Sequence, residues 1–291
     1  MLFSLLVTLR EGIEIALVVT ILLGYLRKID QKQHFRQIWI GVGAAVLLSL
    51  AFGVVLEVTS REMNGRALET FEGATMLFAV AVLTWMVFWM KRQSAGISSD
   101  LRHQIDSALS GGSVFALSLL AFSAVAREGF ETTLFLFAGS TEASGVQFVL
   151  GGVAGFAIAI AAGIVLYYGA ARLPLKQFFL ASGIVVIILA AGLLSNGLTA
   201  LYLARVIETL GPRPWDTESL LPMTSTLGKF LNTVLGYDSA PTVGNLVAYA
   251  TYVALALGAY LMLPAHKPPQ IRRVESQTQS DESARELIAK M

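Results

Sequence analysis

The sequence predicts an all-α integral membrane protein: seven transmembrane helices, built as an inverted repeat of two three-helix units plus one extra C-terminal helix. Three observations predict it. The chain is 55% hydrophobic and only 14% charged, whereas a soluble domain carries roughly 25% charged residues. Seven apolar stretches, at approximately 2–26, 38–58, 68–90, 113–137, 146–169, 177–203 and 243–263, are each long enough for a span of about 20 residues. The first and fourth of these share the pattern Arg-Glu-Gly-x-Glu, as Arg10–Glu14 and Arg127–Glu131. Helices are the expected form of every span, because a bilayer offers no partner to free backbone groups.

The first stretch opens on Met1-Leu-Phe-Ser-Leu-Leu-Val-Thr-Leu. It lacks the basic leader and small-residue cleavage site of a signal peptide, so it reads as a retained span. The second carries small residues at every fourth position, Gly41, Ala45, Ser49 and Gly53, and the fifth repeats that ladder at Gly151, Gly155, Ala159 and Gly163. Such stripes let helix backbones approach closely. The third and sixth begin alike, with Leu68-Glu-Thr-Phe-Glu and Leu175-Lys-Gln-Phe-Phe. Residues 1–90 and 113–203 therefore read as two copies of one unit. A unit of three spans is odd, so its second copy is inverted, the arrangement by which many transporters place a binding site near the midplane. Residues 204–242 form an outer loop containing the apolar-periodic Met223–Leu235. The seventh span, 243–263, carries no charge, and 264–291 form a cytoplasmic tail.

Orientation follows from where Lys and Arg fall. Arg27, Lys28, Lys32, Arg36, Lys91, Arg92, Arg102, Arg172, Lys176 and the basic residues of the tail fall on one side. Only Arg61, Arg66, Arg205, Arg213 and Lys229 fall on the other. The N-terminus is therefore expected outside and the C-terminus in the cytoplasm, across the cytoplasmic (inner) membrane. Trp39, Trp85 and Trp89 fit an aromatic belt on the cytoplasmic side.

Composition also excludes chemistries. The chain has no cysteine, and its three histidines, His34, His103 and His266, lie in polar segments. A metal within the membrane would therefore meet oxygen ligands. There is no Gly-rich phosphate loop, zinc-protease motif or nucleophile elbow. The expectation is a protein that is not an enzyme, holds no cofactor and binds no nucleic acid.

Both motifs fall inside spans. Arg10 and Glu14 are an i,i+4 pair and Glu11 and Glu14 an i,i+3 pair, so all three can face one side of the bundle, as can Arg127, Glu128 and Glu131. Each ionisable group at the membrane centre costs about 2.5–3.5 kcal/mol on insertion scales. Ion pairing alone would need one Glu per Arg, but each motif has two, leaving a surplus of two carboxylates. Such a surplus needs protons, a cation or a wetted pathway. Carboxylates without His or Cys suit hard cations: ferric iron, manganese, calcium, magnesium and protons all fit. Arg10 and Arg127 either hold the carboxylates ionised or act as displaceable counter-ions. Glu57, Glu69 and Glu72 lie near the outer ends of spans two and three, either as wetted interfacial groups or as a cation-focusing vestibule. Glu72 is the best candidate among them. Thr132 and Thr133 offer hydroxyl ligands, although membrane threonines more often bond their own helix.

The paired Arg-Glu-x-x-Glu motifs, in the first and fourth of seven spans, resemble the oxidase-dependent iron permeases, the iron/lead permease family of bacteria and fungi. The resemblance covers about residues 1–263. It implies high-affinity uptake of ferric iron, with Glu11, Glu14, Glu128 and Glu131 at the metal positions and Arg10 and Arg127 as motif arginines. Phe71-Glu72-Gly73 is similar to a further acidic site in the third span, with Glu69 one turn away. An extracytoplasmic iron-oxidising or iron-delivering protein is the implied partner, beside membrane lipid. Uptake of another cation such as lead or manganese, proton-coupled exchange, and a membrane enzyme with a carboxylate-held metal pair stand as alternatives.

Overall fold

The computed structural model describes residues 1–93, 97–110, 114–140, 145–168 and 175–262, and among them every regular element is helical. Seven long helices coincide with the apolar stretches: α1 (Leu2–Lys28), α2 (Phe35–Glu62), α3 (Arg66–Gln93), α5 (Val114–Ser140), α6 (Gly145–Tyr167), α7 (Leu175–Leu203) and α9 (Val243–Met262). Five of them, α2, α3, α6, α7 and α9, are long and apolar enough to cross a bilayer. The motif helices α1 and α5 are equally long, at 27 residues each, and stand apart from that group because each motif adds three charged side chains. The tail 264–291 lies outside the described residues.

The long helices pack in three main pairs, α1 on α6, α2 on α5 and α3 on α7, with α1 crossing α5 at the centre. Small residues make these approaches possible. Along α6, side-chain carbons added at Gly151, Gly155 and Gly163 would strike Ser4, Thr8 and Ala16 of α1 in turn, so these two helices run parallel. Along α2, carbons added at Gly41 and Gly53 would strike Ala121 and Thr133 of α5, again in parallel. The two ladders thus grip the two motif helices at matching rungs. A carbon at Gly12 would meet Ala159, and one at Gly129 would meet Ser49. By contrast, Gly139 near the end of α5 lies against the Phe3 ring at the start of α1, and Gly73 of α3 against Leu201 of α7. Both of these central pairs are antiparallel.

Two apolar cores flank this crossing. One joins Met76, Val80, Leu83 and Val87 of α3 to Val186, Ile187, Ala190 and Leu193 of α7, with Tyr260 of α9. The other joins Leu22 and Leu26 of α1, Ile38 and Val42 of α2, and Leu117 and Ala121 of α5. It is closed at one end by α4 (Ile97–Ser110), which lies in a mostly polar stretch between two apolar runs. Its Leu101 and Ile105 are buried while Arg102, His103 and Gln104 are exposed, so an i,i+4 apolar stripe docks it against α1 and α5. On the outer faces, Leu47, Leu50 and Val54 of α2 and Val149, Val153 and Ile160 of α6 are exposed, the surface a lipid tail would meet.

The segment between α7 and α9 folds back along α7. Its helix α8 (Thr226–Leu235) is capped by Ser225, whose hydroxyl accepts the Gly228 N–H at 2.9 Å, and ends at Gly236 in the left-handed region at φ 66°. Gly236 rests on Gly192, eleven residues short of the end of α7: a carbon added at Gly192 would lie 3.2 Å from Gly236 Cα. At about 1.5 Å per residue, that places the end of α8 roughly 16 Å below the end of α7. Gly236→Ala loses both the left-handed cap and this contact. It should destabilise by about 1–3 kcal/mol, read as a lowered melting temperature of detergent-purified protein.

Candidate metal site

Helical periodicity brings both motifs to the central crossing. On α1, Arg10 Nη1 donates to Glu11 Oε1 at 2.6 Å and to Met86 Sδ of α3 at 3.2 Å. Its Nη2 stands 3.1 Å from Glu14 Oε1, an ion pair that lacks hydrogen-bond alignment, since that oxygen has no hydrogen-bond partner. On α5, Arg127 Nε donates to Glu128 Oε1 at 2.9 Å, and its Nη2 reaches the same oxygen. The Arg127 guanidinium also lies over the Trp89 ring of α3, 4.4 Å from its centroid.

Antiparallel crossing interleaves the carboxylates. Oxygens of Glu11, Glu128 and Glu131 lie within 4.8 Å of one another, all three residues being buried, a set that could hold a metal ion. Glu14 stands beside Glu128, close enough to interact with it electrostatically, but outside this tight set. Glu131 has no ion-pair partner among the described residues. Oε2 of Glu11, Glu128 and Glu131 and both oxygens of Glu14 are buried without a hydrogen-bond donor. Buried acceptors left unmet cost about 1–3 kcal/mol each, and more when charged. The cluster is therefore rich in acceptors, poor in donors, and built to receive a proton or a cation.

The two halves of the site differ. The Arg10 side chain is 5% exposed and that of Arg127 39%. Beside Arg10, a cavity of ≈ 210 Å³ opens between α1 and α7, lined by Leu6, Leu9, Phe178, Val185 and Leu189.

Other candidates fall elsewhere. Glu69 and Glu72 are half-buried in the first turns of α3, near enough to each other to interact, and neither joins the three-carboxylate set. Glu57 is exposed and pairs with Arg61 at 2.8 Å, as an interfacial residue would. The hydroxyls of Thr132 and Thr133 are committed to the backbone, at 2.7 Å to Glu128 O and 2.8 Å to Gly129 O. Trp39 and Trp85 are exposed as a belt requires, but Trp89 is turned onto Arg127. No sequence signal separates Trp89 from its neighbours, since its role depends on which face of α3 meets α5.

The chain is 34% identical over 261 residues to the ferrous iron permease EfeU of Escherichia coli (strain 536), covering 89% of this chain and 95% of that protein. It is equally similar to ferrous iron permease EfeU of Yersinia pestis, of which 93% is covered, and of Shigella sonnei, of which 95% is covered. No solved structure matches the chain. Residues 1–266 match the description Iron permease FTR1 family, and the chain is a multi-pass membrane protein belonging to that family.

Proposed function

We propose that this protein is a high-affinity iron permease of the cytoplasmic (inner) membrane and that Glu11, Glu14, Glu128 and Glu131 carry the iron. The observation that supports this most is the buried set Glu11, Glu128 and Glu131, drawn from two antiparallel motif helices and short of hydrogen-bond donors. In this reading seven helices span the bilayer, residues 1–90 and 113–203 are inverted copies, the N-terminus is outside and the tail is cytoplasmic. Matching contacts of the two small-residue ladders with α1 and α5 support the inversion. Iron enters past Glu69 and Glu72, is held at the crossing, and leaves inward as the two copies rearrange.

An all-oxygen donor set favours ferric iron, the hardest of the common candidates, supplied by an iron-oxidising or iron-delivering partner on the outer side. The relatives are named for ferrous iron, so the oxidation state is a direct question for experiment. Uptake of radioactive iron into liposomes holding the purified protein is measured with iron supplied as ferric citrate or as ferrous iron under ascorbate. Manganese and lead serve as competitors. Preferred ferric uptake supports the reading, and preferred ferrous uptake overturns its oxidation-state part. Equal transport of manganese or lead would replace iron by a broader cation specificity.

The reach of the ligands matters as well as their charge. Glu128→Asp withdraws the carboxylate by one methylene from a set whose oxygens lie within 4.8 Å of one another. It should lower uptake at least tenfold while leaving the amount of inserted protein unchanged.

A further inference from the structure

We propose that Trp89 is a positioning residue for iron binding, a rest for the Arg127 guanidinium when a cation takes its place on Glu128. The inference builds on the permease reading and adds a residue that neither the motif nor the family description names.

Arg127 spends both its Nε and Nη2 donors on a single oxygen, Glu128 Oε1, and that residue belongs to the three-carboxylate set. Iron bound by Glu128 competes directly with Arg127. A guanidinium displaced inside a membrane needs another partner, since a bare charge there is strongly disfavoured. The Trp89 face is already in place, 4.4 Å from the guanidinium carbon, and an indole face is the best aromatic surface for such a cation. Trp89 is itself stacked on Trp85, with centroids 6.3 Å apart and planes 27° from parallel, so it is held in orientation. Arg127 is also the more exposed of the two arginines and so has room to move.

Among the described residues, no aromatic ring lies under the Arg10 guanidinium in the other half of the site. Arg10 contacts Met86 rather than a ring, is held by Glu11 and Glu14 together, and is buried. α7, the counterpart of α3, has no aromatic residue between Phe179 and Tyr202. Arg10 is thus the fixed counter-ion and Arg127 the exchangeable one. Trp89 lies one turn from the end of α3 that carries Lys91 and Arg92, the cytoplasmic end in the proposed orientation, so exchange opens the site inward.

The test compares wild type, Trp89→Phe and Trp89→Leu in proteoliposomes under iron gradients, with melting temperature as a fold control. Trp89→Leu should raise the half-saturating iron concentration threefold to tenfold, because an unsupported Arg127 stays on Glu128, and Trp89→Phe should restore most of the loss. In an Arg127→Gln background, Trp89→Leu should change nothing further. A role in packing alone would lower the yield and melting temperature of both variants without moving half-saturation, and that result overturns the proposal, as does an equal effect of Trp89→Leu with and without Arg127. A binding arm keeps the two readings apart. In protein whose only tryptophans are Trp89 and its stacking partner Trp85, Arg127→Gln should shift the emission maximum whether or not the wild type transports iron. An unshifted spectrum counts against the Trp89 proposal alone, whereas absence of wild-type iron uptake counts against the permease reading alone.

Discussion

Glu131→Gln should abolish iron uptake and leave the protein no less stable than wild type. These outcomes usually exclude each other at a buried charge, where removing one partner of an ion pair strands the other at a cost of about 3–5 kcal/mol. Glu131 escapes that rule because it has no ion-pair partner among the described residues, although it is buried beside Glu11 and Glu128. Neutralising it strands no cation and relieves repulsion among three clustered carboxylates. It also removes a charged oxygen ligand from the set best placed to hold iron. Uptake of radioactive iron by cells, scored against inserted protein and melting temperature, checks both halves. Normal uptake by the variant would remove Glu131 from the site. A melting temperature well below wild type would show that it serves the fold.

Arg10→Gln should do the opposite, losing folded protein before any question of transport arises. Among the described residues the guanidinium is the sole cation paired with Glu11 and Glu14, at 2.6 and 3.1 Å, and its side chain is 5% exposed. Removing it leaves two carboxylates buried beside Glu128 and Glu131 without compensation. The expected destabilisation is about 3–5 kcal/mol, seen as a large drop in monodisperse protein and in melting temperature. Arg127→Gln removes a guanidinium that is 39% exposed and, among the described residues, paired with Glu128 alone, so its effect on stability should be clearly smaller. Equal losses from the two substitutions would contradict the division into a fixed and an exchangeable arginine.

Much of this was legible in the chain because membrane physics restricts the possibilities. Apolar runs at 38–58 and 146–169 mark α2 and α6 closely, since a span must be long, apolar and helical. Counting three spans per copy implied that the motif helices are antiparallel, as α1 and α5 are, but which of the four glutamates meet was not legible. Elements whose position depends on packing were harder to read. α4 sits in a stretch rich in polar residues, and only Leu101 and Ile105, four apart, mark its buried stripe. Its short apolar face could not be told from chance without α1 and α5 above it. The folding of α8 back along α7 depends on two glycines far apart in sequence, Gly192 and Gly236, whose contact leaves no local pattern. Within the site, all four motif glutamates read alike, yet Glu14 stands outside the tight set and, among the described residues, Glu131 alone has no ion-pair partner. Those differences come from the register of α1 against α5. Trp89 matches a belt residue in composition and depth, and its contact with Arg127 depends on the rotation of α3.

The measurement closest to the central claim is iron accumulation by purified protein in sealed liposomes, comparing wild type with Glu128→Gln and Glu131→Gln at matched protein content. Saturable iron entry with wild type and none above empty liposomes with either variant is the result expected of a carboxylate site at the crossing of α1 and α5. Undiminished entry with both variants would contradict it.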